Sequence, residues 1–219
     1  MKRALALLAV LFLPAQAQAA LFGPPQLPSS VFASLPSCTS SLLNNQYFVT
    51  DIGVAGSVWT CNGTSWDIST RVLLQRAVAA ATTTSASAVA LVSYTIPANL
   101  LGTNRRIYVD TYWSFTASAN AKSLQERFNT TCGTSGTGYM SAAPSATQVS
   151  GRIMQTIINR TTGSQFGTGT ALFGGVGLTT GAEGTSSIDT TSSTCVSVTG
   201  SVAGGETLSL DSSEFWLEP

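Results

Sequence analysis

The sequence has no histidine and very little charge. Ten Lys and Arg and ten Asp and Glu make up 9% of its 219 residues, against roughly a quarter in ordinary soluble domains. Without histidine, Ser-His-Asp and Cys-His catalytic arrangements are unavailable, and so are His-ligated zinc and iron sites. The formal charge is zero and no cluster of basic residues occurs. That argues against nucleic acid as a partner, because phosphate affinity is built from Lys and Arg. What is abundant is small: 29 Ser, 30 Thr, 20 Gly and 26 Ala form about half of the chain. At 43% hydrophobic, the chain still has enough apolar side chain for a core, which separates it from disordered polar tracts. These absences favour a non-enzymatic, β-structured surface protein.

The chain opens with Met1, Lys2 and Arg3, followed by ten apolar residues from Ala4 to Leu13 and an Ala-rich stretch ending at Ala20. A charged start, a short apolar run and an Ala-x-Ala end read as a secretory signal cleaved near Ala19 or Ala20. Ten helical residues rise only about 15 Å, short of a bilayer core of roughly 30 Å. The other reading of residues 1–20 is an apolar anchor helix that docks on a partner. Cleavage would remove Lys2 and Arg3, leaving eight basic against ten acidic residues. The four cysteines, Cys38, Cys61, Cys132 and Cys195, allow three disulfide connectivities in an exported chain. Their positions favour the local pairs Cys38–Cys61 and Cys132–Cys195, whereas a reducing cytosol would leave four free thiols. No CxxC occurs, so neither metal nor cofactor is expected.

Composition divides the remainder. Pro24, Pro25, Pro28 and Pro36 make residues 21–37 an extended, Pro-rich connector. Residues 38–70 read as a small β module. Gln46 to Thr50 is strand-like, and Asn62-Gly63 separates Ser57 to Cys61 from Thr64 to Ile68. Asn-Gly between β-prone runs is a strong hairpin signal. A two-residue turn there predicts that Trp59 faces Trp66, with Trp59, Cys61, Thr64 and Trp66 on one face. The tryptophan pair is then either a ligand-stacking platform or the mini-core of the module beside a disulfide. Arg71 to Val78 reads as a helix or an inter-domain strand, and residues 71–88 together as a linker.

From 89 to 219 the hydrophobic period is two. Leu91 to Ile96, Ile107 to Phe115, Ser123 to Phe128, Arg152 to Ile158, Gln165 to Phe173, Thr194 to Val202, Glu206 to Leu210 and Glu214 to Leu217 read as strands. Gly-rich turns such as Gly174-Gly175 and Gly204-Gly205 lie between them. The predicted fold class is all-β: a small N-terminal β-hairpin module and an antiparallel, jelly-roll-like β-sandwich, preceded by an apolar segment. Charge is too scarce to protect every edge strand, which predicts self-association, most simply as a homotrimer.

No catalytic constellation is apparent. Glycosidases need two facing carboxylates about 5–10 Å apart, while Asp110, Glu126, Glu183, Asp189, Glu206 and Asp211 are scattered over strands and loops. Gly174 to Gly177 lacks the Lys-Ser/Thr of a phosphate loop. Arg105-Arg106 reads as a solvated turn or an inter-subunit salt bridge rather than a ligand site.

Leu35 to Cys38, Tyr47 to Gly53 and Gly56 to Trp66 resemble a module near the N-terminus of structural proteins of tailed bacteriophages. Ser93 to Gly102, Arg105 to Phe115, Ala119 to Lys122 and a closing hairpin from Val196 to Leu217 resemble the β-sandwich that follows it. The resemblance runs from Leu35 onward. It implies a non-enzymatic virion surface component: a fibre, a head or tail appendage, or a capsid decoration. Such a component would join other virion proteins through its N-terminal region and could contact a host surface glycan. The export-like N-terminus departs from that pattern. It leaves a second reading open, an exported bacterial cell-surface or carbohydrate-binding protein.

Overall fold

A computed structural model of the chain describes residues 26–173, 178–180 and 183–219. The segment 1–20, the start of the Pro-rich stretch and the Gly174-Gly175 turn lie outside the described residues. The described part is all-β, interrupted by two one-turn 3-10 segments, Phe32–Ser34 and Ser40–Leu42.

The module is a four-stranded sheet of β1 (Ser29–Ser30), β2 (Gln46–Val49), β3 (Ser57–Cys61) and β4 (Trp66–Ile68), in that order. β1 runs parallel to β2, and the other pairs are antiparallel. Gly53 and Gly56 reverse the chain between β2 and β3 at φ +87° and +72°, a region other residues enter only with strain. The β3–β4 hairpin pairs Trp59 with Ile68 and Cys61 with Trp66, two residues away from the register predicted for an Asn62-Gly63 turn. The Asn62 side chain is the cause. Its Oδ1 accepts from the amides of Thr64 (2.9 Å) and Ser65 (2.8 Å), an Asx turn that draws both residues into a four-residue loop. A shift of two preserves side-chain alternation, so Trp59, Cys61 and Trp66 still share a face, now with Ile68 instead of Thr64.

The prediction of a Pro-rich connector over 21–37 is corrected for its described part. β1 is hydrogen-bonded to the module, the Phe32 ring lies 4.9 Å from that of Trp59, and Trp66 Nε1 donates to the Pro36 carbonyl at 2.7 Å. Proline excludes helix here, but the extended backbone it leaves is used for pairing.

Two further sheets make the sandwich. Its strands are β5 (Val72–Ala77), β6 (Ala81–Thr83), β7 (Val89–Ile96), β8 (Arg106–Phe115), β9 (Lys122–Asn129), β10 (Thr137–Ala142), β11 (Ser150–Thr161), β12 (Ser164–Phe173), β13 (Leu178–Thr180), β14 (Gly184–Ser186), β15 (Thr194–Val202) and β16 (Leu208–Glu218). The smaller sheet has the order β10-β9-β15-β7. The larger has the order β13-β12-β11-β8-β16-β5, with β14 paired to β12 and β6 to β16. The chain therefore passes repeatedly between sheets, and the last strands insert between earlier ones.

Three expectations change here. The 71–88 linker is not a linker: β5 and β6 pair with β16 at the edge of the larger sheet. Its small, weakly polar residues look unstructured in isolation because the strand that completes them is far away; Arg76 meets Glu214 across 138 residues. The closing hairpin from Val196 to Leu217 is also corrected, since β15 and β16 belong to different sheets. Finally, Glu206 to Leu210 and Glu214 to Leu217 are not separate strands. Leu208 to Glu218 is continuous, with a bulge between Leu210 and Ser212.

Module and sandwich share one hydrophobic core. Val49, Ile52, Trp59 and Ile68 from the first join Val72, Leu74, Leu100, Leu101 and Ile107 from the second. Gly53 makes the close approach possible, because a Cβ there would lie 2.5 Å from Val72 Cγ1.

Candidate functional site

The residues singled out in the sequence occupy structural positions. Trp59 is fully buried, with its Nε1 donating to Ser57 Oγ at 2.8 Å. Trp66 is half-buried and meets Tyr47 edge-on, with ring centroids 5.3 Å apart. The two indoles therefore serve the mini-core, and a ligand-stacking role for Trp59 is excluded by its burial. Cys38 is bonded to Cys61, and Cys132 to Cys195. The second bond holds the loop after β9 against the outer side of β15, where Gly133 N also donates to Ser197 Oγ at 3.0 Å. This covering explains why β15 is buried on both faces.

Arg105 corrects another expectation. It is neither a solvated turn residue nor an inter-subunit one: it is 6% exposed and bonded within the chain. Nη1 donates to the Leu100 carbonyl at 2.6 Å, and Nη2 donates to Asp67 Oδ1 at 2.8 Å and to the Trp66 carbonyl. Its guanidinium also lies 4.7 Å from the centre of the Trp59 ring. One side chain thus ties β4 to the sandwich. Burial draws its pKa down, opposed by its bond to and attraction for Asp67.

The acidic residues do not form a facing pair. Asp110 holds Arg152 through two bonds, of 2.9 and 2.6 Å, on the outer face of the larger sheet. Glu206 accepts from Ser118 and Asn120 and lies 3.5 Å from Lys122 Nζ. Asp189 accepts from the amide and hydroxyl of Thr191. Glu126 is different. It is fully buried between the sheets, where Oε1 accepts from Thr111 Oγ1 at 3.1 Å and Oε2 has no partner. Ser213, opposite Thr111 on the larger sheet, and Gln155 are buried with unpartnered polar atoms too. Burial pushes the Glu126 carboxyl well above the carboxylate range; the Thr111 bond opposes this and the charge of Asp110 adds to it. Glu126 shares the inward positions of β9 with Leu124 and Phe128. Period-two alternation is the sequence signal that identifies it. Among the described residues, no group of three or more Cys, Asp or Glu could hold a metal ion.

The outer face of the larger sheet is the chemically richest surface. Arg71 lies 4.4 Å from the ring centres of both Tyr108 and Trp216, Arg152 lies 5.0 Å from Tyr112, and Arg160 lies 4.5 Å from Phe166. At one end the face dips. Ser209, Ser114 and Ser150 pair side by side across three strands, and the next outward row is Ser212, Tyr112, Arg152 and Leu172. A depression of about 410 Å³ opens there, lined by Ser150, Gly151, Tyr112, Arg152, Leu172 and Asp211. The bulge in β16 places both Asp211 and Ser212 on this face, a re-aiming that such bulges commonly produce. Asp211 Oδ1 accepts from Ser114 (2.9 Å) and Ser209 (2.7 Å). The outward alternation of Tyr108, Asp110 and Tyr112 is legible in the sequence. The placement of Asp211 beside them is not, because it depends on the bulge.

No helix among the described residues is long and apolar enough to cross a membrane. No known protein-family model matches this sequence, and no curated protein matches it either.

Proposed function

We propose that the chain is a non-enzymatic structural component of a tailed-phage virion surface, a fibre, appendage or decoration subunit with a jelly-roll-like sandwich. The observation that carries this reading is the way the chain is built. Module and sandwich share one core, each carries one internal disulfide, and most acidic side chains are committed to ion pairs or hydroxyl contacts. That is the economy of a rigid building block rather than of a catalyst. The edge strand β7, Val89–Ile96, contains no charged residue or proline. Natural sheet edges of that kind are usually covered, which supports assembly as a homotrimer through the sandwich. The test is immunogold labelling of virions from cells that express the chain, using an antibody to residues 89–219. Label on the particle surface is expected, and absence of the chain from purified particles refutes the reading. A sedimentation profile showing only stable monomer refutes the trimer.

A second reading, an exported bacterial cell-surface or carbohydrate-binding protein, is favoured by the paired cysteines, since disulfides persist in oxidising compartments. Mass spectrometry of the N-terminus separates the two: cleavage near Ala20 supports export, and an intact Met1 supports assembly in the cytosol.

A further inference from the structure

We propose that the depression on the outer face of the larger sheet is a binding site for a neutral saccharide. The proposal deepens the surface-contact part of the reading above by naming the residues that would make the contact.

The argument begins with shape. A flat sheet face offers no pocket. Here Ser150 and Gly151 on β11 leave the surface low, and Tyr112, Arg152, Leu172 and Asp211 line the depression beside them. The result is a shallow site whose lining includes Tyr112, Arg152, Asp211, Leu172 and Ser150. Tyr112 is 43% exposed, although most large side chains of the sandwich are buried. Arg152 covers one face of this ring, and the opposite face of an exposed tyrosine can stack on the apolar C–H face of a pyranose.

Polar placement fits the same ligand class. Both short contacts to Asp211 end on Oδ1, and no hydrogen bond among the described residues reaches Oδ2. That oxygen is therefore available to accept from a sugar hydroxyl. Asp110 engages Nε and Nη2 of Arg152, which holds the guanidinium over one face of the Tyr112 ring and leaves Nη1 without a hydrogen bond among the described residues. A preorganised donor and acceptor flanking an aromatic ring suit vicinal hydroxyls, which both donate and accept.

Charge selects among sugars. Asp110 and Asp211 outweigh Arg152, so the site carries one net negative charge. It disfavours phosphate, sulfate and sialic acid and suits a neutral saccharide. A purely apolar ligand would cover Asp211 Oδ2 and the guanidinium of Arg152 without offering either a hydrogen bond.

The experiment is a titration of the uniformly ¹⁵N-labelled full chain, followed by amide shifts. The probes are glucose, galactose, mannose, N-acetylglucosamine, lactose and maltose, each to about 50 mM, with sialyllactose as the charged control. Saturable shifts are expected at Tyr112, Ser114, Ser150, Arg152 and Asp211 for at least one neutral sugar. Tyr112→Ala and Asp211→Asn should each weaken binding about tenfold, while Tyr112→Phe should hold it within about twofold. Thermal midpoints of the variants verify that they fold. The proposal is overturned if no neutral sugar produces saturable shifts, if the shifts map elsewhere, or if sialyllactose binds more tightly than lactose. Because the titration uses isolated protein, it reads the site whether or not the chain is found on particles.

Discussion

Glu126 makes the stability of this protein depend on pH in a direction that can be worked out. Its carboxyl is fully buried, accepts a single hydrogen bond from Thr111, and has no paired cation among the described residues. Burial raises its folded-state pKa well above the ordinary 4.5, with the Thr111 bond opposing and the charge of Asp110 reinforcing the shift. In the unfolded chain the group ionises at its ordinary value. Above that value the folded state therefore holds a proton that the unfolded state has released. The stability associated with the protonated group is complete below the unfolded pKa and is lost as pH rises towards the folded one. In that window each pH unit costs about 1.4 kcal/mol. Glu126→Gln keeps the shape and the acceptor for Thr111 but cannot ionise. Wild type and variant should have parallel stabilities below pH 4. As pH rises between the unfolded and the folded pKa, the wild type should fall relative to the variant by up to about 1.4 kcal/mol per pH unit, or about 3–6 °C in thermal midpoint for a chain of this size, and the difference should then level off. Groups with lowered pKa values, Asp189 and Glu206, act in the opposite direction but are common to both proteins and cancel in the difference. The assay is urea denaturation of both proteins from pH 4 to 9. Curves that stay parallel across this range would refute a protonated, buried Glu126.

Other consequences follow from the same geometry. Arg105→Ala should cost about 2–4 kcal/mol in denaturant unfolding, because it strands two acceptor carbonyls and opens the joint between β4 and the sandwich. Arg105→Lys should recover only part of this, since an ammonium cannot span the same acceptors. Replacing Cys132 and Cys195 together by Ser should destabilise by about 4 kcal/mol for a separation of 63 residues, against about 3 kcal/mol for the separation of 23 at Cys38 and Cys61. Non-reducing peptide mapping tests the pairings directly, and four free thiols would contradict them. Gly56→Ala should cost about 2 kcal/mol or more by thermal denaturation. It combines a φ of +72° with a Cβ placed 2.4 Å from Phe48 Cζ.

The strands whose inward residues alternate cleanly were legible. β8, β11, β12 and β15 fall within a few residues of their sequence-based bounds, because a face turned to the apolar core writes its period into consecutive residues, in β15 as Val196, Val198 and Val202. β10 was missed. It contains Gly138 at a bulge and buries the adjacent Tyr139 and Met140, so its alternation is broken locally. β5 matches the strand alternative for Arg71 to Val78, but β6 reads as linker in the sequence because nothing within residues 71–88 identifies a partner; that partner, β16, lies at the end of the chain. The Asn62-Gly63 hairpin was legible as a turn but not in its register, since a side chain rather than the backbone sets the loop length.

The same division holds for the sites. Composition and periodicity by themselves determine an all-β chain with low charge, four cysteines and no histidine, because those properties are local or additive along the sequence. Tertiary structure alone decided that Trp59 is core, that Arg105 is an internal tie, and that Asp211 joins Tyr112 and Arg152 around a dip in the sheet. Each of those outcomes depends on which strands become neighbours. Strand pairing is settled by burial and hydrogen bonding summed over the whole sandwich, between segments as far apart as Val72 and Leu217.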